Sequence, residues 1–173
     1  METALKMLKT ALEMEQKGFE FYRRASDTCR NEAARELFRT LQMDEVVHMK
    51  RIRDLFSSLE GGGSWNEDWQ KHAIAHPALA NVFRDLARRS RDHIRADSSD
   101  LEAVEVGIEF EARSVRFYED RLAEAEDPIE RRFLQAMVEE ERTHHQALQD
   151  TRLYLTDPSA WFAANERGHA DGG

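Results

Sequence analysis

Apolar residues near the start of the chain recur in steps of three and four, at Leu5, Leu8, Leu12, Phe19 and Tyr22. That spacing lines one side of an α-helix. The stripe has a gap, and the residue that fills it is Glu15. A carboxylate at the centre of a core stripe costs on the order of several kcal/mol if it is buried without a partner. Glu13 and Glu20 fall off the stripe and are expected in solvent. The helix is expected to end between Asp27 and Arg30, after roughly 25 residues or ~38 Å at the helical rise. Asn31 then reads as the N-cap of a second helix, with Leu37, Leu41, Ile52 and Leu55 facing in and Glu45 and His48 among them. Ser57-Ser-Leu-Glu-Gly-Gly-Gly-Ser64 breaks the period and predicts a loop.

From Trp65 to Asp100 the pattern is mixed, with a short helix expected from Pro77 to about His93 on Leu79, Val82, Phe83 and Leu86. This stretch of about 40 residues far exceeds the roughly 2 to 8 that join antiparallel neighbours. It predicts a crossover running the length of a bundle. Its histidines, His72, His76 and His93, show no ligand spacing and are expected at the surface. A third helix repeats the first, with Leu101, Val104, Ile108, Val115, Tyr118 and Leu122 inward and Glu111 in the gap. Asp127-Pro128-Ile-Glu130 is a helix start, a cap followed by proline at the first position and an acid at the third. The fourth helix faces Phe133, Met137, Leu148 and Leu155 inward, with Glu141 and His144 on the same stripe. Asp157-Pro158 stops it and opens a short terminal turn whose Trp161 and Phe162 should dock on the bundle. The end, His169 to Gly173, is expected to fray, and that reading is preferred to a docking peptide in Ala170-Asp-Gly-Gly173.

Laid over itself at an offset of 96, the chain matches without a gap: Leu12-Glu-Met-Glu-Gln-Lys-Gly-Phe-Glu-Phe-Tyr22 meets Ile108-Glu-Phe-Glu-Ala-Arg-Ser-Val-Arg-Phe-Tyr118. Asp44-Glu45-x-x-His48 meets Glu140-Glu141-x-x-His144, and Asn31 meets Asp127. Two helical hairpins of one design are the simplest account. The expected fold is all-α, a four-helix bundle with a long crossover between helices two and three and a short C-terminal helix. One domain should cover 1–173, with the repeat at 1–58 and 99–155, the crossover at 59–98 and an extension at 156–173.

Composition narrows the partners. A length of 173 residues suits one domain with a real core. A net charge of −9 argues against nucleic acid or an anionic membrane surface. No apolar run approaches the roughly 20 residues that span a bilayer, and Met1-Glu-Thr-Ala-Leu-Lys6 resembles neither a signal nor a transit peptide. The cytoplasm is the expected address. Cys29 is the single cysteine, which rules out an internal disulfide, a Cys-x-x-Cys pair and an all-thiolate metal site.

Bringing the four inner faces together gathers four Glu and two His in a medium of low dielectric constant. About four negative charges cannot stand there without neutralisation. Two divalent cations would balance them. Carboxylate oxygen with imidazole nitrogen suits iron, manganese or zinc better than copper(I) or calcium, and ligand softness does not rank those three. Glu15, Glu45, His48, Glu111, Glu141 and His144 are therefore the candidate ligands. On stripe geometry alone Glu140 competes with Glu141, and the repeat register selects Glu141.

On this constellation the chain resembles the ferritin-like di-iron carboxylate proteins, and among them the rubrerythrin-like group, over its four long helices. The resemblance implies two iron ions, terminal carboxylates from Glu15 and Glu111, bridging carboxylates from Glu45 and Glu141, and imidazoles from His48 and His144. It implies that Tyr22 and Tyr118 hydrogen-bond ligand carboxylates, the alternative being core aromatics with a hydroxyl at the edge. The implied function is a di-iron oxidoreductase acting on O2 or hydrogen peroxide, as ferroxidase or peroxide scavenger. Iron storage, an inert zinc site and a dimanganese catalase-like centre are the alternatives. A homodimer is the expected assembly. Two departures stand out. Rubrerythrins carry a four-cysteine iron site that one cysteine cannot build, so an external electron donor is expected. That group's extra Glu, three residues after the third-helix ligand, is here Ser114, with Gly18 as its mate. Both leave room for a diatomic ligand, and His48 is expected to stay on its metal through a redox cycle.

Overall fold

In the computed structural model of the chain, which describes residues 2–72, 74, 79–89 and 97–166, four long helices are laid out as two hairpins. The first is α1 (Glu2–Thr28) with α2 (Glu32–Glu60). A connecting stretch holds a 3-10 turn (Asp68–Lys71) and α3 (Leu79–Arg89). The second hairpin is α4 (Ser98–Glu124) with α5 (Pro128–Thr156), followed by α6 (Pro158–Glu166). Among the described residues there is no strand, and no helix is long and apolar enough to cross a membrane.

Short polar caps set the helix starts. Asn31 Oδ1 accepts from Ala34 N at 3.0 Å, and Asp127 Oδ1 accepts from Ile129 N and Glu130 N at 2.7 and 3.1 Å, with Pro128 at the first helical position. Asp97 caps α4 through Asp100 N. Asp100, itself fully buried, accepts from Arg30 N and Asn31 N at 2.9 Å each, tying the α1–α2 corner to the start of α4. At its other end α2 runs through Ser57 to Glu60, where a loop was expected. Leu59 remains buried, so the core still rewards helix there, and the glycines, with Gly62 at φ 80°, end it.

α1 pairs along its length with α2, and α4 with α5; the hairpins meet through α1 against α4 and α2 against α5. The inner stripe of α1 differs from the expected one. Ala11 and Gly18 are buried, whereas Leu5, Leu12 and Phe19 are half-buried. Likewise on α4 Gly107 and Ser114 are buried, while Leu101, Ile108, Val115 and Leu122 sit at its flanks. The reason is packing from two sides. Small residues occupy the line of closest approach between helices, and large ones fill the grooves beside it. A Cβ on Gly107 would lie 3.2 Å from Leu148 Cδ1. On α5 Tyr154 is fully buried and Leu155 only half-buried.

The connecting stretch covers the α2–α5 side, since the 3-10 turn lies on α2 and α3 touches both α2 and α5. Trp69, Leu79 and Phe83 are its buried anchors. The expected helix from Pro77 to His93 is seen as Leu79–Arg89; Pro77, His76 and His93 lie outside the described residues. α6 docks as expected, with Trp161 and Phe162 buried against Tyr154 and Phe83. The tail, 167–173, lies outside the described residues.

Buried apolar side chains form two clusters. One gathers Tyr22, Leu37, Phe38, Leu41, Val104, Leu148 and Tyr154; the other gathers Leu8, Ile52, Leu55, Tyr118, Phe133, Leu134 and Met137. Sequence order along each helix puts the acidic gap residues between them. The core is therefore split by a polar layer.

Candidate metal centre

The six residues singled out from the sequence lie in that polar layer. Glu15, Glu45, His48, Glu111, Glu141 and His144 are all at most 2% exposed. They fall into two groups in which one potential ligand atom per residue lies within 4.8 Å of the others: Glu15, His48 and Glu141, and Glu45, Glu111 and His144. Each group draws on three helices, and the offset of 96 carries one group onto the other. The imidazole rings stack at 5.6 Å between centroids and 27° between planes.

Both imidazoles are oriented from behind. His48 Nε2 lies 3.0 Å from Glu140 Oε2, and His144 Nε2 lies 3.2 Å from Asp44 Oδ2. A carboxylate accepts and does not donate, so each Nε2 carries the proton and Nδ1 faces the cluster. His48 Nδ1 lies 3.1 Å from both Glu15 Oε2 and Glu141 Oε1, and 3.7 Å from Glu45 Oε2. Glu141 presents its other oxygen to His144 Nδ1 at 3.8 Å. Its two oxygens thus face the two imidazoles.

The tyrosines cross between hairpins. Tyr22 donates to Glu111 Oε1 and Tyr118 donates to Glu15 Oε1. Glu111 and Glu15 each have one oxygen held by a tyrosine from the other half of the chain. Both hydroxyls are fully buried, so the core-edge alternative does not apply. Burial, then the neighbouring carboxylate charges, push both phenols well above their ordinary range and keep them as donors.

The charge problem is visible in the protonation of the side chains alone. Burial and then the Glu15 charge raise Glu45 well above the carboxylate range; burial and then Glu141 do the same to Glu111; burial and then Glu15 raise Glu141. Against burial, the neighbouring Glu45 carboxyl, the hydrogen bond and charge of His48 and the Tyr118 hydroxyl hold Glu15 at about 2. His48 is raised well above its ordinary value because the surrounding carboxylates of Glu140, Glu141, Glu15 and Glu45 outweigh its burial. Gathering these carboxyls in a buried layer thus favours the protonated form of Glu45, Glu111 and Glu141.

The residues fit divalent cations. Both oxygens of Glu45, both of Glu141, Glu111 Oε2 and His144 Nδ1 are buried and make no hydrogen bond among the described residues. Glu141 Oε1 is near His48 Nδ1 but without the alignment of a hydrogen bond. Orphaned buried carboxylate oxygens are strongly unfavourable unless something coordinates them. The oxygen and nitrogen donor set suits iron, manganese or zinc.

Three participants were not assigned from sequence: Asp44, Glu140 and Arg51. Glu140 is 26% exposed, stands behind His48 and lies outside both three-residue groups. The repeated acid pair, Asp44-Glu45 over Glu140-Glu141, was the available signal, since the residue before each ligand Glu is also acidic. Nothing in the periodicity marks Arg51, which is buried on the same face as Leu55. His72 pairs with Asp54 at 2.8 Å, half-buried and away from the cluster.

The family model for rubrerythrin matches residues 6–151, a span that contains all six clustered residues. No curated protein and no solved structure matches the chain.

Proposed function

The chain belongs to the rubrerythrin family, and from that premise we propose a di-iron oxidoreductase that acts on O2 or hydrogen peroxide, as ferroxidase or peroxide scavenger. One observation carries the reading: five carboxylate oxygens and an imidazole nitrogen, buried and without hydrogen bonds, are gathered in two three-residue groups. Glu15, His48 and Glu141 would hold one ion, and Glu45, Glu111 and His144 the other, with Glu45 and Glu141 as the candidate carboxylates to be shared between the two. Bound iron would supply the electrons and open positions at which an oxygen species is reduced.

The protein's own part is positioning and exclusion. Asp44 and Glu140 fix the imidazole tautomers, and Tyr22 and Tyr118 hold one oxygen of each terminal carboxylate. The apolar clusters on either side keep water out, which strengthens every charge interaction between them. Gly18 and Ser114 keep side-chain volume low beside the groups. With Cys29 the single cysteine, electrons for turnover come from a donor outside these helices.

Anaerobic titration with ferrous iron tests the reading. Two irons per chain should bind, and O2 or hydrogen peroxide should then raise the near-ultraviolet absorbance of ferric iron. Uptake of one iron or none sinks it. Turnover of peroxide with an added reductant marks a scavenger, whereas oxidation by O2 alone marks a ferroxidase.

A further inference from the structure

The two hairpins match at the ligands but not behind them. α2 carries Arg51 where α5, at the offset of 96, carries Ala147. Arg51 is 4% exposed. Its Nη1 donates to Glu140 Oε2 at 2.6 Å, its Nε donates to the His72 carbonyl at 2.7 Å, and its guanidinium lies 5.8 Å from the Trp69 ring centroid. The same Glu140 oxygen accepts from His48 Nε2. On the other side Asp44 accepts from His144 Nε2, and among the described residues it has no further cationic partner.

A carboxylate behind an imidazole draws on its outer proton and makes the inner nitrogen a stronger donor to a metal. Glu140 divides its charge between His48 and a guanidinium at closer range, so its pull on His48 is the weaker. Asp44 spends its charge on His144 alone. The guanidinium also adds a positive charge on the His48 side, where burial limits screening. Both effects have the same sign.

Resting on the di-iron reading above, we propose that Arg51 makes the two halves of the centre unequal, so that a divalent cation enters the Glu45, Glu111 and His144 group before the Glu15, His48 and Glu141 group. Arg51 is a positioning residue, acting through Glu140. The cation on the His48 side is the last to load and the first to leave.

Zinc added to the metal-free full chain, with 15N-labelled histidine followed by NMR, reads the order directly. The first equivalent should move the His144 imidazole resonances, and His48 should follow only with the second. In Arg51→Met both should move together, while Arg51→Lys, which keeps the charge, should restore the order. Glu140→Gln acts in the opposite sense to Arg51→Met. By weakening His48 further it should loosen the second zinc on the order of tenfold, the usual effect of removing such a partner. His48 moving first or together with His144 in the intact protein overturns the proposal. So does an unchanged order in Arg51→Met, a loss of order in Arg51→Lys, or an unchanged second step in Glu140→Gln. Zinc binding at neither histidine would instead overturn the di-iron reading itself.

Discussion

Tyr22 and Glu111 are 89 residues apart in sequence, yet the buried hydroxyl of the first donates to Oε1 of the second. Tyr118 and Glu15 make the reciprocal bond. The two hairpins are therefore joined through their own candidate ligands, and a change in one tyrosine acts on a carboxylate of the other hairpin.

Tyr22→Phe leaves Glu111 Oε1 without its donor in a dry core. The metal-free protein should lose about 1–3 kcal/mol, the usual cost of stranding a buried acceptor. Urea unfolding measures it. No loss would mean that the Tyr22 hydroxyl does not stabilise that carboxylate.

Glu45→Ala removes a proposed bridge and, with it, a buried carboxylate that lacks hydrogen bonds. The bundle should stay folded by circular dichroism, and iron uptake should fall below two per chain. Unchanged uptake and oxidation would remove Glu45 from the centre.

Gly18→Ala places a Cβ 2.8 Å from Phe110 Cε1 and 2.9 Å from Glu45 Oε1. Something must shift, and overpacking of this kind costs about 1–3 kcal/mol. Because Glu45 is one of the two residues in the way, the variant should also bind iron more weakly, as an iron titration would read. Ser114→Gly, which only removes atoms, should leave affinity nearly unchanged.

Metal-free protein should lose stability as pH rises above about 5. Glu45, Glu111 and Glu141 are raised above their ordinary value of 4.5, and His48 above 6.5. Groups raised in this way hold protons more tightly when folded, so their contribution is complete below the unfolded value and is lost as pH climbs through the folded one. Glu15, held at about 2, works the other way but only below 4.5. The melting temperature without metal should thus be lower at pH 8 than at pH 5, and bound metal should flatten the dependence by replacing those protons. A flat or rising metal-free profile would contradict the charge arrangement described.

Asp100→Ala strands the amides of Arg30 and Asn31. One buried and one part-buried donor left unpaired cost about 1–4 kcal/mol. Thermal unfolding should show it with and without metal, because the tie lies at the α1–α2 corner and involves none of the six clustered residues.

Much of this protein is legible along the chain because helical period and helical caps are local. The gaps in the stripes at Glu15 and Glu111, the paired Glu-x-x-His steps and the caps at Asn31 and Asp127 all follow from residues within a few positions of each other. The offset of 96 adds that the two halves share a register, which is enough to gather six residues on four inner faces. Periodicity fixes a side chain's angle about its own helix axis only to within a broad sector. It does not say which residue of another helix stands opposite. Hence Ala11 and Gly18 hold the line of closest approach where Leu12 and Phe19 were expected, because α1 faces two helices at once. The grouping of Glu141 with His48, the tyrosine bonds between hairpins, the acids behind the imidazoles and Arg51 on Glu140 are contacts over 89 residues or more. Only the packing of one hairpin on the other decides them.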